Sequence, residues 1–176
     1  MRMFILGALL CLAPISFAKP IDVPQLIKAR LLYMKDVALY KAKRNLAIEN
    51  TDREVKVLAK AKAKATELGL AGDSIEAFFR VQINAAKAIQ YRYRAQWLFE
   101  PAALGQKSRD LQRVVRPVLL MLGDEIIVSI AQYIKNVGAF KEQQRDEFVT
   151  ALDVKHLAER DKHRLYDALL LVRLQL

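Results

Sequence analysis

FFRVQINAAKAIQYRYR, Phe78 to Arg94, is the stretch whose reading decides the fold. Phe79, Ile83, Ala86, Ile89 and Tyr93, continued by Trp97, recur every three or four residues, the period of an α-helix with one broad buried face. Gln90 falls inside that face and Gln82 toward its edge. A buried amide without partners costs about 1–3 kcal/mol, so each glutamine needs a reason. Gln82 reads as an amide linking helices within the core. Gln90 is open between that role and a polar group on the wall of a pocket.

Outward from this helix the same period continues, and no stretch alternates with period two for long enough to argue a strand. A first helix is expected from about Val23 to Arg44, burying Leu26, Ile27, Leu31, Met34, Val37 and Ala38. Asp22 would cap it, and Pro24 fits its first turn. A loop over Asn45–Asn50 leads to a second helix that opens on Thr51-Asp52-Arg53-Glu54, a Thr-x-x-Glu capping box, and stops near Gly69. Asp73 and Ser74 would cap the third helix, which ends near Leu98. A fourth is expected over about Gln106 to Val137, bent or broken at Pro117. A short helix around Lys141–Leu152 and a last one over about Arg160–Leu174 complete an all-α single domain of about six helices.

The chain begins MRMFILGALLCLAPISFAKP: a basic start at Arg2, an apolar run, and Ser16-Phe17-Ala18 as a small-x-small cleavage site. The run is shorter than the roughly 20 residues of a membrane span. Residues 1–18 are therefore expected to be a secretory signal peptide cut after Ala18, leaving the domain over residues 19–176 in the periplasm or outside the cell, with no membrane association. Cys11, the single cysteine, leaves with it. That excludes zinc–thiolate sites and cysteine nucleophiles. His156 and His163 are too few for a histidine-rich metal site and read as structural or surface residues.

The formal charge of +10, from 29 Lys and Arg against 19 Asp and Glu, attracts anions of any kind. The basic residues are spread along the chain, so most belong to solvated helix faces. A nucleic-acid-binding domain is disfavoured by the signal peptide and by the lack of a clustered basic stripe.

Two cations interrupt an apolar stripe on the first helix. Arg30 and Lys41 are eleven residues apart, within about 20° of one face and roughly 16 Å along the axis. Either their stems cover apolar surface while the charges reach water, or both point into a cavity that takes a small dianion. Arg53-Glu54 reads by itself as a capping turn with an exposed ion pair.

Taken as an ordered set, Arg30, Lys41, Arg53-Glu54 and Gln90 within QINAAKAIQYRYRAQWL resemble the all-helical chorismate mutase family, specifically its exported class. The resemblance runs from about Leu26 to Trp97. It implies isomerisation of chorismate to prephenate by a [3,3] rearrangement, without metal or cofactor, in a homodimer whose sites each lie within one chain. Arg30 and Arg53 would clamp carboxylates, Lys41 and Gln90 would donate to the breaking ether oxygen, and Glu54 would accept from the substrate hydroxyl. Ala86 stands where relatives often carry serine or threonine, and Asn50 where aspartate is common. Exported members draw a further arginine from the second half of the chain. Glu125 aligns with it here, and Arg113 or Arg116, earlier in the same segment, are the candidates. The alternative from another class is a catalytically silent periplasmic binding protein on the same scaffold.

Overall fold

The computed structural model describes residues 23–176. The expected signal peptide, its cleavage site and the Asp22 cap lie outside the described residues. Seven α-helices follow in order: α1 (Val23–Leu32), α2 (Met34–Ala42), α3 (Thr51–Glu67), α4 (Gly72–Phe99), α5 (Arg116–Asn136), α6 (Arg145–Ala151) and α7 (Glu159–Leu170). The described residues contain no strand, only a bridge between Leu70 and Leu174 that pins the C-terminal tail to the α3–α4 turn.

The expected first helix is α1 and α2 in tandem. Tyr33 between them keeps a helical backbone (φ −68°, ψ −10°) and its carbonyl still accepts from Val37 N–H at 3.1 Å. The rod therefore runs on, and the residues between Arg30 and Lys41 keep their helical register.

Several expected boundaries move by a residue or more. Asn50, not Thr51, caps α3: its Oδ1 accepts from Arg53 N–H at 2.9 Å, so Thr51 is already the first helical residue. At the start of α4 the capping position is Ala71, while Ser74 Oγ donates back to the Ala71 carbonyl at 2.6 Å and Asp73 is drawn to Lys62. Gly72 allows a close approach there: a Cβ would lie 2.9 Å from both Lys62 Cγ and Thr66 Oγ1, and those side chains would have to shift. Gly69 closes α3 with φ +78°, the left-handed conformation that favours glycine.

The expected fourth helix starts late. Residues 106–110 are not helical; a turn of π-helix over Leu111–Val115, capped by Asp110, feeds α5. Pro117 sits in the first turn of α5, where it needs no amide hydrogen.

α4 is the centre of the bundle. It packs on α2 and α3 on one side and on α7 on the other, while α5 packs on α1 and α3. Phe78, Ile75 and Ile89 are fully buried at 0% exposure, as are Ile27, Leu31, Ile126 and Ile130 on the neighbouring helices. Each such side chain contributes about 1.5–3 kcal/mol on leaving water. The second half is tied to α4 by polar contacts as well. Arg92 donates to the His156 carbonyl at 2.6 Å and pairs with Asp161 at 2.8 Å, and His156 Nε2 lies 2.8 Å from Gln96 Oε1. His156 is thus a staple between α4 and the segment before α7.

Candidate active site

Between α1–α2, α3, α4 and α5 lies a cavity of about 140 Å³. Every residue of the sequence-derived set except Arg113 lines it: Arg30, Lys41, Asn50, Arg53, Glu54, Ala86, Gln90 and Arg116. Arg113 is exposed, one turn before Arg116 on the same segment. Glu125, which aligns with the family's extra arginine, does not line the cavity but faces an adjoining open depression with Met121, Val128 and Gln132, which shares Lys60, Leu120 and Asp124 with it. The cavity takes Leu120, Gly123 and Asp124 from that stretch of α5 instead.

The two cations of the first helix do not reach out to water. Arg30 is 7% exposed and Lys41 8% exposed. Arg30 Nε and Nη1 have no hydrogen-bond partner, and its guanidinium lies 6.0 Å from the centroid of the Phe79 ring. Burial lowers its pKa to about 10, which leaves it charged at neutral pH. Lys41 Nζ donates to the Ile48 carbonyl at 2.5 Å. Its pKa is also lowered, first by burial and then by the charges of Arg116 and Arg94. Arg53 is lowered by burial and by Arg116. At Lys41 burial and the neighbouring cations outweigh the opposing pull of Glu49 and Glu54, as happens when cations are desolvated together.

The ion pairs around the cavity sharpen this. Glu54 is not paired with Arg53, as a simple capping turn would have it, but with Lys87 at 3.1 Å. Asp124 is taken by Lys60 at 2.9 Å. Both acids of the lining are therefore engaged by lysines, and among the described residues Arg30, Lys41, Arg53 and Arg116 are in no ion pair. Four cations outside any ion pair thus line one small space, whose two carboxylates are held by lysines.

Gln90 is 5% exposed and lies across the cavity wall from the first helix. Its Nε2 donates to the Ala86 carbonyl at 3.1 Å and lies 3.6 Å from Met34 Sδ, while Oε1 has no partner. The wall also reaches further along α4 than the sequence reading allows. Phe79 and Ile83, expected as plain core, line the cavity together with Ala86 and Gln90. Gln82 departs more sharply. It is not at an edge and links nothing: it is 0% exposed, and neither end of its amide has a hydrogen-bond partner.

Lys60, Lys87 and Asp124 were missed by sequence reasoning. Their partners lie 33 to 64 residues away in the chain, so no local spacing signals them. The lysine of QINAAKAIQ, one turn before Tyr91 on the helix, was the available clue for Lys87. Among the described residues no group of three or more His, Cys, Asp or Glu side chains could hold a metal ion.

Known proteins resemble this chain over most of its length. The family model for chorismate mutase type II matches residues 22–91. The chain is 35% identical over 180 residues to a secreted chorismate mutase from Yersinia pestis, a match covering 99% of this chain and 96% of that protein. It is 36% identical over 143 residues to a monofunctional chorismate mutase from Enterobacter agglomerans, covering 81% and 77%. The crystal structure of secreted chorismate mutase from Yersinia pestis superposes with a TM-score of 0.82 at 38% identity, covering 89% of this chain and 100% of that one.

Proposed function

The chain belongs to the chorismate mutase family of isomerases, and on that premise we propose that its buried cavity converts chorismate to prephenate by an intramolecular [3,3] rearrangement. The observation that carries the proposal is the set of four cations without counter-ions around one small, largely apolar space. A dicarboxylate returns to them the charge partners that burial removed.

In this reading Arg30 and Arg53 hold the two carboxylates through the planar fork of the guanidinium, and Arg116 adds the cation that the second half of the chain contributes. Held at both ends, the flexible substrate stays in the compact conformer in which the bond-forming carbons are adjacent. As the ether bond breaks, negative charge grows on its oxygen. Lys41 donates to that oxygen in a site that excludes water, where the interaction is stronger than in solution. Gln90 donates from α4; turning its amide about the last torsion brings Nε2 to the cavity in place of Oε1. Glu54 accepts from the substrate hydroxyl. Ala86 supplies shape without a hydroxyl, and Asn50 acts by fixing the start of α3. No covalent intermediate is needed, because bond making and bond breaking occur within one molecule.

We further propose export through removal of residues 1–18, and a homodimer as the working unit. Two of the relatives named as secreted, from Yersinia pestis and Mycolicibacterium smegmatis, support export. Among the described residues no helix is long and apolar enough to cross a membrane. N-terminal sequencing of the exported protein and light scattering of the purified protein test these two points.

The reaction itself is tested by following chorismate loss and prephenate formation with purified protein. Turnover far above the uncatalysed rate is expected. Binding of chorismate with no turnover would return the protein to the silent binding scaffold.

A further inference from the structure

Three polar residues of the opening stretch have no part in the proposed chemistry. Lys87, Tyr91 and Arg94 follow at intervals of four and three, so they form one stripe along α4. All three hold the same object, the segment between α2 and α3. Arg94 Nη2 donates to the Leu46 carbonyl. Tyr91 Oη donates to Glu49 Oε1 at 3.2 Å. Lys87 Nζ lies 2.9 Å from Glu49 Oε2 and 3.1 Å from Glu54 Oε2, so it joins that segment to the first turn of α3.

The segment so held carries the Ile48 carbonyl, one residue before Glu49, to which Lys41 Nζ donates. A lysine ammonium on a four-carbon stem has many rotamers, and a fixed carbonyl selects one of them. Lys87 itself is only partly exposed, at 22% for its side chain, and lines the cavity without needing to reach its centre. Burial lowers its pKa, but the hydrogen bonds to Glu49 and Glu54 outweigh that and the net shift is upward. Glu49 is shifted downward, chiefly by its hydrogen bond to Lys87. Lys87 and Glu49 thus favour each other's charged form, and removing the lysine takes away the cation that Glu49 and Glu54 share.

We propose that Lys87 is a positioning residue for the rearrangement: it clamps Glu49 and Glu54, and through the 46–50 segment it sets the Ile48 carbonyl that aims Lys41. The inference rests on the cavity being the reaction site proposed above. Tyr91 and Arg94 serve the same clamp at its outer end.

The test compares wild type with Lys87→Met, Lys87→Arg and Glu49→Gln in steady-state kinetics, thermal melts and amide hydrogen exchange of residues 46–50. Lys87→Met should lower kcat about tenfold, with KM changed less than about threefold, because a group that aims a donor acts on the transition state more than on binding. Exchange over 46–50 should accelerate, and Lys87→Arg should recover most of kcat. Glu49→Gln, which loosens the tie to the segment and keeps the Lys87–Glu54 pair, should move kcat and exchange in the same direction by a smaller factor. It decides the matter should Lys87→Met fail to fold. An unchanged kcat, a loss confined to KM, or unchanged exchange over 46–50 overturns the proposal. If the wild type itself fails to turn over chorismate, the proposed reaction falls, while the exchange arm still judges whether Lys87 holds the segment.

Discussion

Gln82 and Gln90 are two turns apart on α4, about 12 Å along the axis, and both are buried, at 0% and 5% exposure. Their surroundings differ in kind. Gln90 shares its face with Phe79, Ile83 and Ala86, and that face meets a cavity walled by cations. Gln82 shares a stripe with Ile89 and Gln96 on the side that meets the second half of the chain, where Gln96 finds His156. Gln82 finds no partner at all. One amide, with its Oε1 unpartnered, lines a cavity and is the one the proposed reaction uses. The other is a cost borne by the fold. A buried polar group therefore signals function only when empty space and other unpaired charges lie beside it.

The largest effects expected lie on the cavity side. Lys41→Ala and Arg30→Ala should each lower kcat/KM by at least ~100-fold, about 2.7 kcal/mol of transition-state stabilisation, with helix content by circular dichroism unchanged. Retained activity in both would show that the cavity face is only an imperfect core, no different from the Gln82 side.

The depressed pKa of Lys41 adds a pH test of the same face. The charged ammonium is the donor, so kcat/KM, which reports the free enzyme, should fall as pH rises through its folded pKa, with an inflection below the 10.5 of a free lysine. The sign for stability is opposite. Where the folded pKa lies below the unfolded one, the unfolded chain keeps the proton longer, and the contribution of Lys41 to stability rises with pH over that interval. An alkaline limb that moves activity and stability together would not come from this lysine. Lys41→Ala, measured for stability alone, should abolish its share of the rise.

Arg116 and Arg113 offer a smaller contrast on one segment. Arg116 is half-buried in the cavity and Arg113 is exposed away from it. Losing a charged hydrogen bond costs roughly 1.5–3 kcal/mol, so Arg116→Ala should lower kcat/KM by about tenfold or more. Arg113→Ala should leave it within about twofold. Equal losses would move the second-half cation elsewhere.

The reach of sequence reasoning follows from where each relation is encoded. Arg30 and Lys41 lie on one rod, so three helical turns put them on one side whatever the rest of the chain does. Asn50, Arg53 and Glu54 are neighbours at one helix start, and Ala86 and Gln90 are one turn apart. Such relations are local, and the helical period carries them. That Arg116 faces the cavity and Glu125 does not depends on how α5 is rotated about its own axis, which the π-turn over Leu111–Val115 resets. That Lys87 meets Glu54, and Lys60 meets Asp124, depends on which helices touch. Gln82 was misread for a related reason. The stripe through Phe79, Ile83, Ala86 and Gln90 puts Gln82 at its edge, but a helix packed on α2, α3 and α7 buries about half its circumference, and Gln82 lies near the middle of that arc.

That wide burial leads to the smallest effect and the one aimed most directly at the pair of glutamines. Gln82→Met keeps the length and volume of the side chain and removes both unsatisfied amide atoms. Stability should rise by about 1–2 kcal/mol, seen as a melting temperature higher by a few degrees, while kcat and KM stay unchanged. Gln90→Met should differ in kcat, lowering it sharply, while leaving stability equal or improved. A stability loss at Gln82→Met would mean that its amide is satisfied in solution, and the distinction between the two faces of α4 would then rest on the cavity alone.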